Sequence, residues 1–513
     1  MLTRDLHAAQ EDGHPSDMPQ TSGMKPTLDK DLSKVGQIEQ ASHSVARTLL
    51  MPGLALVFIA VCAVFATTVT GSAPQSYIIV VAAAIGAYMA LNIGANDVAN
   101  NVGPAVGSKA LSMMGALAIA AVCESAGALI AGGDVVGTVS KGIIDPAGLA
   151  DSNTFILLMM SALISAALWI NLATVVGAPV STTHSIVGGV AGAGIAAAGI
   201  GAVNWPMMGQ IAASWVISPV LGGIVAALFL AFIKTAIIYQ DDKIAAARRW
   251  VPLLVAIMAG AFSTYLATKG LKHIMKIDLQ MAGMIGLGTA VLTWLISSPL
   301  IKRQSQGMEN RNKSLRELFK LPLIFSAALL SFAHGANDVA NAIGPLAAIV
   351  STAQSGAVAA KVGIPLWVMA IGALGISFGL VMFGPKLIRM VGDQITKLNP
   401  MRAFCVALSA AITVIVASAF GLPVSSTHIA VGAVFGVGFF REWFTANSRR
   451  RRDYIARNPS NPDREKAPTN DQPRYRRLVR RHHFMTIIAA WLVTVPAAGA
   501  LSAGLYLVFS MLG

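Results

Sequence analysis

Charge is scarce in this chain. Only 12% of its 513 residues are Asp, Glu, Lys or Arg, against 55% hydrophobic residues. Soluble domains carry about a quarter charged residues, so this composition excludes an ordinary water-facing surface and points to a multi-span membrane protein. Cysteine is nearly absent as well. Cys62, Cys123 and Cys405 all lie in apolar runs, which excludes a disulfide framework and zinc-type ligand spacing. No signal peptide precedes the first apolar run, because the first 48 residues are polar and the run after them is long enough to span. No nucleotide-phosphate loop is present, which argues against an ATP-driven pump. A Ser-centred nucleophile arrangement and a metal-hydrolase constellation are missing too, so an intramembrane hydrolase, the alternative from a different class, finds no support and no enzyme is expected.

What the chain does have is a series of apolar runs near the ~20 residues that cross a bilayer as a helix. Residues 1–48 mix Pro, Gln, Ser, Asp and Lys without periodicity and read as a disordered cytoplasmic tail. A first span follows at 49–69. Later runs fall at 77–93, 110–131, 155–176, 207–233, 251–268 and 280–301, then through 321–440 and at 484–511. Residues 134–153 read as a polar connection, and the Gly/Ala-rich piece 185–202 as a re-entrant half-helix after a break at Gly177 and Pro179. The net charge of +14 sits mostly in loops, above all between Arg441 and Arg481, and reads as cytoplasmic loops facing anionic lipid rather than as a nucleic-acid surface.

Two stretches occur twice. GANDVAN runs from Gly94 to Asn100 and again from Gly335 to Asn341, an offset of 241 residues. GAPVSTTH (Gly177 to His184) is matched by GLPVSSTH (Gly421 to His428), an offset of 244 residues. Near-constant offsets mean one unit present twice. The organisation that follows is a tail (1–48), an extra helix (49–75), a first unit (76–250), linking helices with a basic loop (251–320) and a second unit (321–513) carrying an insertion at 441–483. Placing the basic loops 234–250, 302–320 and 441–483 in the cytoplasm starts the first unit outside and the second inside, with the tail inside. Lys269, Lys272 and Lys276 break that rule. The fold expected is all-α and polytopic: two inverted-topology repeats with broken helices and re-entrant half-helices, in about ten to twelve membrane segments.

The repeated stretches carry the chemistry. Asn96, Asp97 and Asn100, with Asn337, Asp338 and Asn341, offer carboxylate and amide oxygens at membrane depth, where polar groups mark pathways and sites. Such oxygens are ligands for a hard cation. Gly94 is expected to let the helix unwind beside them, and Gly103–Pro104 to end it. In the second motif Ser181, Thr182 and Thr183, with Ser425, Ser426 and Thr427, fall on the first turn of a helix, where free N–H groups and hydroxyls suit an oxyanion. That motif contains no Lys or Arg. An anion beside Asp97 and Asp338 therefore needs bound cations, or protons that neutralise the carboxylates. Glu124 is a possible accessory with no acidic counterpart in the second unit; His184 and His428 read as capping or orienting groups. His334 aligns with Ile93 and receives no role.

With these residues the chain resembles the PiT family of inorganic phosphate transporters, on GANDVAN twice, the two Pro-Val-Ser-x-Thr-His stretches, CESAG at 123–127 and KGIID at 141–145. The resemblance covers roughly residues 76–440 and the last helix. It implies phosphate symport by an elevator-like or rocking mechanism in a homodimer, sodium at the Asn/Asp stretches and phosphate at the Ser/Thr half-helices. One bacterial branch, proton-linked and moving metal-phosphate, has Phe-His-Asp in place of Ala-Asn-Asp; the Ala-Asn-Asp here looks more like the sodium-linked members. Some relatives carry sulfate. The function expected is thus import of inorganic phosphate with a cation, sodium ahead of proton, across the plasma membrane, with a sulfate or other oxyanion permease as the alternative. No cofactor and no nucleic-acid partner is expected.

Overall fold

A computed structural model of the chain describes residues 49–512, apart from short internal stretches at 72–74, 146–148, 150, 179, 271–276, 359–362, 395–397 and 458–480. The expected tail at 1–48, Pro179, Lys272, Lys276 and the middle of the expected insertion lie outside the described residues. The chain divides into a short unit, residues 1–53, and a unit from residue 54 onward that holds every helix described below except the first residues of the first one. The described residues are helical, with one isolated backbone bridge between Ile144 and Val203.

Helix α1 covers Leu49–Thr70. The first half then runs α2 (Ser76–Asn96), α3 (Val98–Gly107), α4 (Met113–Ala131), α5 (Gly133–Gly137), α6 (Ser152–Val176), α7 (Thr182–Ala198) and α8 (Trp205–Ile233). Helices α9 (Lys243–Lys269), α10 (Leu279–Gln304) and α11 (Asn312–Leu318) follow. The second half runs α12 (Lys320–Asp338), α13 (Ala340–Ser355), α14 (Leu366–Gln394), α15 (Pro400–Ala419), α16 (Ser426–Asn447), α17 (Arg449–Arg457) and α18 (Arg481–Leu512). Twelve helical segments of the described residues are long and apolar enough to cross a membrane. They differ in burial: 83% of the apolar window in α12–α13 is inside the protein, against 11% in α1 and 11% in α10. A helix that apolar and that exposed faces lipid, so α1 and α10 are peripheral while α2–α3 and α12–α13 are the centre.

The centre is held by backbone-to-backbone contact at glycines. A Cβ on Gly94 would fall 1.9 Å from Ile376 O, and one on Gly335 2.2 Å from Glu124 O. Gly127 faces Phe332 and Gly379 faces Leu91 in the same manner. These contacts are reciprocal, since each residue of one copy meets the counterpart of its own partner in the other. The pattern repeats at the half-helices: Gly188 lies against Val495 and Gly432 against Pro219, Gly192 against Gly499 and Gly436 against Gly223. Helix α7 of the first half therefore packs on α18 of the second, and α16 of the second on α8 of the first. Small residues are what permit such close approach between membrane helices.

Several expectations need correction. Gly94 does not unwind its helix: α2 continues through it to Asn96, and its role is close packing. Nor does Gly103–Pro104 end a helix, because α3 runs through Pro104 to Gly107, and α13 runs likewise through Pro345. Membrane helices tolerate an internal proline where neighbours satisfy the freed carbonyl. Residues 134–153 are more than a polar connection. They hold α5 and a wide turn at Thr138–Gly142, bury Val135, Val136, Val139, Ile143 and Ile144, and bond Thr138 Oγ1 to Gly421 O at 2.8 Å. The span expected at 251–268 begins at Lys243, capped by Asp242, whose side chain accepts from Ala245 N. The insertion expected at 441–483 is partly helix, because α16 continues to Asn447 and α17 follows.

Candidate functional site

The two half-helices begin alike. Helix α6 ends at Gly177 (φ 84°), and Gly421 (φ 67°) follows the end of α15. At both ends the next amide reaches five residues back, Ala178 N to Ala173 O at 2.8 Å and Leu422 N to Ala417 O at 3.1 Å. That is a Schellman closure, which needs a left-handed residue and so favours glycine. Ser181 (φ −91°, ψ 120°) and Ser425 (φ −91°, ψ 105°), four residues after these glycines, are extended and cap α7 and α16. Each serine Oγ accepts from the backbone N–H of the histidine three residues on, at 3.1 Å for His184 and 3.2 Å for His428. The first-turn N–H groups of Thr182, Thr183, Ser426 and Thr427 lie ahead of the intrahelical ladder.

The repeated Asn/Asp stretches meet these N-termini. Thr182 Oγ1 donates to Asp97 Oδ2 at 2.6 Å, and Ser426 Oγ to Asp338 Oδ2 at 2.9 Å. Across the copies, Asn100 Nδ2 donates to Thr427 Oγ1 at 2.9 Å, and Asn341 Nδ2 to Thr183 Oγ1 at 3.1 Å. Asn96 and Asn337 act on the helix breaks. Asn96 Nδ2 donates to Thr174 Oγ1 (2.9 Å) and Ala178 O (3.3 Å); Asn337 Nδ2 donates to Ser418 Oγ (2.8 Å) and Leu422 O (3.3 Å). All of these Asn and Asp side chains are buried.

The likeness is incomplete, most of all at the two carboxylates. Asp97 Oδ1 accepts from Thr427 at 3.1 Å, whereas Asp338 Oδ1 has no hydrogen-bond partner. On the Asp338 side, His334 Nε2 instead lies 2.9 Å from Oδ2, near enough for an ion pair but off the line of a hydrogen bond. His334 Nδ1 meets Glu124 Oε2 at 2.5 Å, and Asn101 Nδ2 donates to Glu124 Oε1 at 2.9 Å. Asn101, Glu124 and His334 form one buried polar chain ending on Asp338. The matching positions in the other copy are Ala342, Ile376 and Ile93, all apolar.

Ligand atoms of Asp97, His334 and Asp338 all lie within 4.8 Å of one another. Five buried oxygens of the repeated stretches and of the adjoining Asn101 have no hydrogen-bond partner in the protein: Oδ1 of Asn100, Asn101, Asn337, Asn341 and Asp338. Unpaired buried oxygens cost about 1–3 kcal/mol each, so these acceptors have room for a partner from outside the chain, water or a cation. An oxygen-rich donor set fits a hard cation. The buried lysines do not supply that charge here. Lys234 packs over Phe444 and Phe440, and Lys243 over Tyr454.

Residues 93–502 match the sequence profile described as "Phosphate transporter family". The chain belongs to the phosphate transporter family. A relative from Helicobacter pylori, named "Putative phosphate permease", is 51% identical over 424 residues, covering 82% of this chain and 80% of its own. One from Pyrococcus horikoshii, named in the same way, is 35% identical over 429 residues, covering 84% of this chain and 97% of its own. A solved structure titled "The sodium-dependent phosphate transporter" matches 85% of this chain and 100% of its own length, at 33% identity and a TM-score of 0.75. Members of this family are transporters, which places the chain outside the enzymes.

For this phosphate transporter family member, the geometry sorts the expected site residues. Asp97, Asp338, Asn100 and Asn341 converge, with Thr182, Thr183, Ser426 and Thr427 on them. Three of the hydroxyls expected to face an anion, those of Thr182, Ser426 and Thr427, donate to the carboxylates instead. Asn96 differs from the ligand expected of it: its amide grips the break after α6 and its oxygen accepts from Val180 N at 3.2 Å. Glu124 is drawn in through His334. The sequence reading missed His334 and Asn101. Both were visible as polar residues where the other copy is apolar.

Proposed function

We propose that the chain carries inorganic phosphate in symport with a cation, sodium ahead of proton, through two copies of one unit oriented oppositely in the membrane. One observation supports this most: the first turns of two capped half-helices donate to two buried carboxylates, and the same repeated stretches carry buried oxygens that lack partners. In this reading Asp97 and Asp338, with the amide oxygens of Asn100, Asn341 and Asn337, hold the cation. The hydroxyls of Thr182, Ser426 and Thr427 aim the carboxylates. Phosphate, as substrate, then sits against the first-turn N–H groups of α7 and α16, where the helix dipoles favour an anion, with the hydroxyls of Ser181, Thr183 and Ser425 nearby. Coupling follows from charge: without the cation the two carboxylates repel the anion, and with it the site is close to neutral. Asn96 holds the break before α7 in register. The homodimer, the plasma membrane and the cytoplasmic N-terminus belong to the same reading.

Uptake of labelled phosphate into proteoliposomes, with sodium and proton gradients imposed in turn, tests it. Sodium-driven uptake that excess sulfate leaves intact is the expected result. Uptake driven by the proton gradient alone would move the coupling to the Glu124–His334–Asp338 chain. Loss of phosphate uptake to excess sulfate would make the chain a general oxyanion carrier.

A further inference from the structure

Four aromatic rings stand in a row behind the half-helix N-termini. His184 and His428 meet edge to face, with centroids 4.3 Å apart and planes at 87°. Trp215 packs on His184 at 3.8 Å, and Trp491 on His428 at 3.6 Å, so the four rings touch in succession. Both histidines are buried; no side chain hydrogen-bonds to either ring, and the one polar group beside His184 is the backbone of Trp491. An imidazole enclosed by rings with no side-chain partner acts through its shape. Each ring is also tied to its helix start, because its own backbone N–H is the one the capping serine accepts. The N-terminal turn and the ring thus move together.

One outer ring is anchored across the copies, and the other, Trp491, is held by packing alone, since its Nε1 has no hydrogen-bond partner. Trp215 Nε1 donates to Pro423 O at 3.2 Å, so a helix of the first half holds the link that leads to Ser425 of the second. Thr183 Oγ1 donates to Val424 O at 3.1 Å beside it. The tryptophan-bearing helices α8 and α18 touch α16 and α7 through glycines at backbone distance, which leaves the row no slack. Protein interiors are packed as densely as organic crystals and yield little to compression.

We propose that the row Trp215–His184–His428–Trp491 is a spacer that sets the distance between the two half-helix N-termini, and with it the size of tetrahedral oxyanion they accept. The histidines are positioning residues, and the proposal rests on the reading that these N-termini hold phosphate. Phosphate and arsenate differ in size and little in shape or charge, so their ratio reads the spacing. The test compares His428→Ala and His428→Phe with Ser425→Ala in proteoliposome uptake, measuring KM for phosphate and for arsenate and the sodium concentration for half-maximal rate. Displacements near 1 Å cost up to about a hundredfold in such sites, and we expect His428→Ala to raise the phosphate KM about tenfold. It should narrow the phosphate-to-arsenate preference while leaving sodium dependence unchanged. His428→Phe, which keeps a flat ring, should restore both values. Trp491→Leu provides a second break in the row and should match His428→Ala.

A wild-type KM and preference in both His428→Ala and Trp491→Leu would overturn the spacer. So would a His428→Phe protein as impaired as His428→Ala, since that assigns the effect to imidazole chemistry. Ser425→Ala separates the two levels. If it raises the phosphate KM while the row variants do not, only the spacer fails. If it too is silent, the anion reading of the half-helices fails.

Discussion

Thr183 and Thr427 occupy the same place in the two copies, and by sequence their loss should matter equally. In the structure they do different work. Thr427 Oγ1 donates to the carboxylate of Asp97 at 3.1 Å and accepts from Asn100 at 2.9 Å. Thr183 Oγ1 donates to the backbone carbonyl of Val424 at 3.1 Å and accepts from Asn341 at 3.1 Å. Valine keeps the branched shape and removes the hydroxyl. A hydrogen bond to an ionised group is worth about 1.5–3 kcal/mol, against about 0.5–1.5 kcal/mol for a neutral pair. At about 1.4 kcal/mol per tenfold, Thr427→Val should raise the sodium concentration for half-maximal uptake roughly tenfold to a hundredfold. Thr183→Val should change it by less than about tenfold and act mainly on phosphate KM. Initial rates in proteoliposomes over a sodium series give both numbers. Equal sodium shifts in the two variants would refute the assignment of Asp97 to the cation.

Two further outcomes concern stability. Replacing a buried ion pair by apolar residues is often neutral or stabilising, whereas removing one partner costs about 3–5 kcal/mol. Glu124→Ile/His334→Ile, which copies the Ile376–Ile93 pair of the other copy, should therefore melt higher than either single variant in thermal unfolding of purified protein. A double variant less stable than both singles would contradict that. Gly94→Ala and Gly335→Ala should each lower the melting temperature, because the added methyl meets the backbone oxygen of Ile376 or Glu124 and overpacking costs about 1–3 kcal/mol or more. Gly283→Ala, with nothing within 4 Å, is the control and should melt like the parent; a Gly94→Ala protein that did the same would show the close approach to be wrong.

The repeated stretches made the centre of the site legible. Gly177 and Gly421, then Ser181 and Ser425, are local signals for a helix end and a helix start, and local hydrogen bonding delivers both. The spans were legible because a bilayer demands long apolar runs. Harder to read were features that depend on partners far along the chain. Glu124 and His334 are 210 residues apart, and nothing near either one names the other. The stretch 134–153 looked like a loop because its Gly, Thr and Ser residues interrupt its buried valines. Gly94 reads as an unwinding point because a glycine beside polar residues has two uses, and only the neighbouring helix shows which applies. Asn96 and Asn100 differ in the same way: one motif supplies both, and only the third dimension turns one to the helix break and the other across the copies.

The most direct test is sodium-gradient-driven phosphate uptake by Asp97→Asn and Asp338→Asn proteins that keep the parent's helix content and membrane insertion. The account predicts that both lose gradient-driven uptake while remaining folded. Uptake at the parent's rate and with the parent's sodium dependence, in either variant, would contradict it.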